Sequence, residues 1–133
     1  MKIYTTISTK FEAAHCLCLP EKVDEENEKL FGKCFNLHGH NYKLEVSVSG
    51  DIKDDGMVIN FKRLKEIINK NVTNYYDHQF INELMDRIPT AENMCIEIVN
   101  RLQKAFSTED ICLEEIKLYE TDTSYCKVRC KDE

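Results

Sequence analysis

The chain has 133 residues, 42% of them hydrophobic and 32% charged, and a formal net charge of −6. That length supports one domain with one core, and the composition is that of a folded globular protein rather than a disordered one. No apolar run approaches the roughly 18 residues of a membrane-spanning helix, and the acidic balance argues against nucleic-acid binding, which needs a basic face. A small anionic ligand remains compatible, because a few local cations outweigh a distant net charge. The first residues alternate polar and apolar without the core of an export signal. The seven cysteines, at 16, 18, 34, 95, 112, 126 and 130, are odd in number. A cytoplasmic protein with reduced thiols is expected.

Residues 3–15 alternate, placing Ile3, Thr5, Ile7, Thr9, Phe11, Ala13 and His15 on one strand face. His15 ends that mostly apolar, inward side. Pro20 and the acidic run from Asp24 to Lys29 read as a solvated loop or a short helix. Residues 38–49 alternate again, with His38, His40, Tyr42, Leu44, Val46 and Val48 on the buried face. Asp54-Asp55-Gly56 is a turn before the short apolar run Met57-Val58-Ile59. Asn60 then caps a helix with the stripe Phe61, Leu64, Ile67, Ile68 and Val72. Thr90 caps a second helix, striped by Cys95, Ile98, Val99, Leu102, Ala105 and Phe106. Two strands follow, about 113–121 and 124–130. In the first, Ile116, Leu118 and Glu120 share one face, and Glu115, Lys117 and Tyr119 the other. Cys95 and Cys112 read as small core hydrophobes. The order predicts an α+β domain, an antiparallel sheet with two helices on one face.

Of the four histidines, three fall where two strand faces point inward: His15, His38 and His40. Three neutral imidazoles suit Zn²⁺ and leave a fourth position open, the catalytic arrangement. A closed structural site with Cys34 as fourth ligand stays possible on spacing alone, as do three histidines hydrogen-bonded without metal. Cys34 lies in a loop near this cation site, where a thiolate is favoured as base or nucleophile. Asp77-His78 pairs a carboxylate with an imidazole between the helices. Glu120 continues an inward face, and a ligand with two adjacent N–H donors would satisfy it.

Six segments in order resemble the 6-pyruvoyl-tetrahydropterin synthase / 6-carboxytetrahydropterin synthase family. They are Phe11-Glu12-Ala13-Ala14-His15; Gly32-Lys33-Cys34 with Leu37-His38-Gly39-His40-Asn41-Tyr42; Gly56-Met57-Val58; Asp77-His78; Pro89-Thr90-Ala91-Glu92-Asn93; and Tyr119-Glu120-Thr121. The resemblance implies a tunnelling fold, in which subunit sheets join into a barrel. It implies a homohexamer of two trimers with interfacial pockets. It also implies zinc on His15, His38 and His40, Cys34 as general base, Asp77 and His78 as a proton-transfer dyad, Glu120 as the pterin anchor and Thr90 beside the pterin. The implied substrate is 7,8-dihydroneopterin triphosphate. The short interval between Cys34 and His38 resembles the 6-carboxy enzymes of queuosine biosynthesis. The segments from Asp24 to Cys34 and from Met57 to Asn60 resemble the pyruvoyl enzymes of tetrahydrobiopterin biosynthesis. Two other classes compete on the residues alone: a zinc-stabilised binding module, and a thiol hydrolase using Cys34 and His78.

Overall fold

The computed structural model describes residues 1–130. Strand β1 (Tyr4–His15) pairs antiparallel with β2 (His38–Ser49), without a slip from Tyr4 opposite Ser49 to His15 opposite His38. Between them lie α1 (Asp24–Phe31) and a 3₁₀ turn (Gly32–Phe35). After β2 come α2 (Phe61–Ile68), a π turn (Asn69–Thr73) and α3 (Asn74–Tyr76). A long helix, α4 (Ala91–Phe106), precedes β3 (Cys112–Thr121) and β4 (Ser124–Arg129). The four strands form one antiparallel sheet in the order β1-β2-β3-β4.

Alternation decides which face is buried. Phe11, Ala13, Tyr42, Leu44, Val46, Val48, Ile116 and Leu118 point toward α2 and α4, which bring Leu64, Ile68, Cys95, Ile98, Leu102 and Phe106. This matches the expected layers, with α1 as an added surface helix. Both caps form as predicted. The Asn60 side chain accepts from the Lys62 and Arg63 N–H groups, and Thr90 from that of Asn93. A ring stack, Tyr42 on Phe11 at 5.0 Å and Phe11 on Tyr76 at 5.5 Å, runs through the core beneath the end of β1.

Two expectations need correction. Phe61 is 63% exposed, because it stands at the first helical position beyond the edge of the covered face. Cys112 is exposed. The pairing of β2 with β3 shifts between Ser47 and Val48, and the bulge flips the alternation, so that Leu113 rather than Cys112 joins Ile116 and Leu118 inside. A single chain forms an open sheet with β1 and β4 at its edges; a closed barrel needs further copies.

Candidate metal centre and active site

The ends of β1 and β2 build the site. His15 and His38 are directly opposite across the ladder, and His40 lies two residues along the same face. Their ring centroids are 4.5, 5.1 and 4.9 Å apart. One nitrogen from each ring lies within 4.8 Å of the other two. All three Nε2 atoms are buried and have no hydrogen-bond partner. A buried polar atom without a partner is costly, and three converging lone pairs are a donor set for a divalent cation.

The far sides of two rings explain why Nε2 is the free nitrogen. His15 Nδ1 is 2.8 Å from the Pro89 carbonyl oxygen, and His38 Nδ1 is 2.7 Å from that of Asn36. A carbonyl only accepts, so Nδ1 carries the proton and Nε2 the lone pair in both rings. The Tyr42 hydroxyl lies 3.5 Å from His15 Nδ1, and its ring packs edge-on against His15 and His40. Burial lowers the pKa of His15 and of His40, outweighing the opposing pull of Glu120 on each. Both rings are thereby biased to the neutral form that ligates metal.

The clustered set comprises only the three imidazoles among the described residues. Cys34 is not among them. It sits half-buried in the 3₁₀ turn, where its carbonyl accepts from the Leu17 N–H at 2.8 Å. That hydrogen bond ties the strand exit after His15 to the thiol's own turn.

Glu120 does face the trio. Its Oε1 is 3.4 Å from His40 Nε2, without hydrogen-bond geometry. Alternation from the buried Ile116 and Leu118 puts it on that side, as the sequence implies. Tyr119 pairs with Tyr125 and Thr121 with Ser124, so Glu120 is also the unpaired residue of a second bulge. Here the carboxylate also lines a cleft of about 290 Å³ with Ala91, Glu92 and Tyr125. In sequence, Thr90 falls between Pro89, which holds His15, and Ala91, which lines this cleft; its hydroxyl oxygen caps α4 at 3.2 Å and can still donate.

Asp77 and His78 contact each other, with Asp77 Oδ2 at 2.9 Å from His78 Nδ1. Two hydrogen bonds to Glu12 hold the pair against β1. The Glu12 N–H donates to Asp77 Oδ1 at 3.0 Å, and the His78 N–H donates to the Glu12 carbonyl at 2.6 Å. The Glu12 N–H first, and then the His78 ring, hold the Asp77 carboxyl below its ordinary pKa. His78 has φ +60°, a left-handed conformation costing a side-chain-bearing residue roughly 1–2 kcal/mol. The His78 side chain is 75% exposed and shares an open cleft with Glu12, Asn41 and His40. Among the described residues no hydrogen bond or ion pair joins Cys34 to Asp77 or His78.

Sequence reasoning missed several supports. Asn82 clamps the backbone of Cys16, accepting from its N–H at 3.0 Å and donating to its carbonyl at 2.9 Å. Nothing in its surroundings signals this. Pro89 and Asn36 act through carbonyls, which no side-chain pattern reveals. Tyr42 was legible as inward but not as a wall of the site.

The comparisons with known proteins agree with this geometry. The sequence model of the 6-pyruvoyl tetrahydropterin synthase family matches residues 4–131. A 6-pyruvoyl tetrahydrobiopterin synthase of Dictyostelium discoideum is 39% identical over 124 residues, covering 90% of each chain. A 6-carboxy-5,6,7,8-tetrahydropterin synthase of Haemophilus influenzae is 38% identical over 121 residues, covering 72% of this chain and 84% of the other. The solved 6-pyruvoyl tetrahydropterin synthase of Caenorhabditis elegans superposes with a TM-score of 0.87 at 27% identity, covering 98% of this chain and 97% of that one. An inward three-histidine cluster, carried on a fold and a sequence shared throughout, places this chain in the 6-pyruvoyl tetrahydropterin synthase family as one of its pterin-converting lyases.

Proposed function

We propose that this protein is a zinc-dependent lyase that converts 7,8-dihydroneopterin triphosphate, with water, to 6-carboxy-5,6,7,8-tetrahydropterin, acetaldehyde and triphosphate. The observation that carries the reading is the set of three buried, partnerless Nε2 atoms. His15, His38 and His40 would hold the ion, whose contribution when bound is Lewis acidity toward the hydroxyls of the substrate side chain. Glu120, aimed into the cleft beside them, accepts the paired N–H donors of the pterin edge. Thr90 adds a hydroxyl donor at the same rim. Cys34, on the turn leading into β2, removes a carbon-bound proton next to the ring. His78, with its tautomer fixed by Asp77, delivers and collects the second proton. The redox change stays within the substrate, so no nicotinamide or flavin is required.

The exposed dyad favours an assembled site. In a homohexamer with pockets between subunits, the exposed dyad of one chain would meet the thiol of another on one substrate. A second reading, the 6-pyruvoyl synthase reaction on the same substrate, is favoured by the Dictyostelium relative. Incubating the purified zinc-loaded protein with 7,8-dihydroneopterin triphosphate and identifying products by mass separates the two. Acetaldehyde release supports the first reading. A retained three-carbon side chain supports the second, and no conversion of this substrate overturns both.

A further inference from the structure

We infer that the side of the sheet facing away from the helices binds a short oligophosphate. Strand alternation puts Lys10, Lys43, Lys117 and Lys127 on that side, one from each strand. The register sets Lys10 directly opposite Lys43 and Lys117 directly opposite Lys127. Like charges directly opposed across a ladder destabilise a sheet. Two such pairs, in adjacent rows of a chain whose net charge is −6, concentrate positive charge where folding gains nothing from it.

Within these two rows one carboxylate faces four ammonium groups, and Glu12 and Glu115 in the flanking rows lie against His78 and Arg129 instead. Glu45, opposite Lys117, is the acidic residue within the two rows, and it lies 3.9 Å from Lys43. Lys10 and Lys127 make no ion pair among the described residues. The other residues of the two rows are Ser8 and two tyrosines. Tyr119 and Tyr125 pair across β3 and β4 with centroids 4.6 Å apart, the Lys43 ammonium lies 4.2 Å over the Tyr119 ring, and the Lys117 ammonium lies 5.5 Å from that of Tyr125. Ring faces and packed stems hold the ammonium groups out without cancelling their charge.

The spacing selects the ligand class. Four strands span three inter-strand steps, about 14 Å, and adjacent same-face rows are about 7 Å apart. A single phosphate reaches only neighbouring lysines, whereas a chain of phosphates spans them. A long nucleic acid would meet the acidic remainder of the chain, so a short polyanion fits better. Two sources share this chemistry: free inorganic oligophosphate, and the phosphate tail of a phosphorylated substrate. The second source rests on the function proposed above.

Calorimetric titration of the full chain with inorganic tripolyphosphate at low salt tests the site without any need for turnover. The double variant Lys10→Gln/Lys117→Gln removes one member of each opposed pair. Its affinity for tripolyphosphate should fall by about tenfold or more. Its ligand-free melting temperature should hold or rise, because repulsion is relieved. The wild-type chain should be stabilised by tripolyphosphate and the variant much less so. In assays with a triphosphorylated pterin, a raised KM at unchanged kcat assigns the site to the substrate tail, and an unchanged KM assigns it to free oligophosphate. Equal tripolyphosphate affinity in the variant, or none in the wild type, overturns the inference.

Discussion

His15 Nδ1 is 2.8 Å from the carbonyl of Pro89, the residue immediately before the Thr90 cap of α4. The three-histidine cluster and the start of the longest helix are therefore one mechanical unit. Thr90→Ala removes the acceptor for the Asn93 N–H and should cost about 1 kcal/mol of stability. It should also weaken metal binding, because the carbonyl that orients His15 moves with the cap. Chemical denaturation and competitive chelator titration of the same variant check both effects.

The buried rings give the metal-free chain a pH dependence of definite sign. Burial lowers the pKa of His15 and of His40 in the folded state, whereas the unfolded chain titrates near 6.5. Below that value the unfolded state binds more protons than the folded one. The stability contribution is therefore complete above pH 6.5 and is lost as pH falls toward the lowered folded values. Urea midpoints of metal-free protein at about pH 7.5 and about pH 5.5 should differ in that direction, and His15→Gln should shrink the difference. A more stable protein at the lower pH would contradict the assignment of neutral, buried rings.

Cys34 lies outside the ligand cluster, so Cys34→Ala should keep the metal and lose turnover by about 10²–10⁴-fold. Metal analysis beside a single-turnover assay gives both numbers. Stoichiometric loss of metal from the variant would make the thiol a ligand and remove it as the base.

Strand periodicity made most of this site readable. Odd residues of β1 and even residues of β2 share a face, and that alone brings His15, His38 and His40 together. The caps at Asn60 and Thr90 were readable because a side chain at a helix start has one dominant use. The bulges were not. Each inserts one residue and reverses the alternation, at no cost in sequence pattern. The first turned Cys112 outward; the second leaves Glu120 unpaired on the inward side that alternation with Leu118 already gave it. Adjacency in sequence made the Asp77–His78 contact possible, but the left-handed turn that presents it depends on hydrogen bonds to Glu12, 65 residues away from Asp77.

That turn makes a further prediction. Asp77 uses one oxygen for the Glu12 N–H and the other for His78 Nδ1. An amide has only one oxygen, so Asp77→Asn can keep the Glu12 N–H only by presenting an N–H donor to His78 Nδ1, which selects the opposite imidazole tautomer. Turnover should fall by about 10²–10⁴-fold with KM nearly unchanged, and Asp77→Glu should recover part of the loss. Rescue and stability together separate this from a structural effect. Lost turnover at an unchanged melting temperature marks the pair as part of the reaction, whereas mere loosening of the turn would lower both.

Asn82 tests how far the support of the metal centre extends. Its amide bridges the N–H and carbonyl of Cys16, the residue after His15. Asn82→Ala leaves both backbone groups without that partner and should cost roughly 1–3 kcal/mol. Partners that orient a metal ligand from behind typically change affinity by about 10–100-fold when removed. Zinc affinity should therefore fall along with the melting temperature, and Asn82→Asp, which keeps the acceptor but not the donor, should lie between alanine and the wild type. Lowered stability with unchanged zinc affinity would confine the clamp to the fold, since it would show that His15 keeps its direction through Pro89 alone.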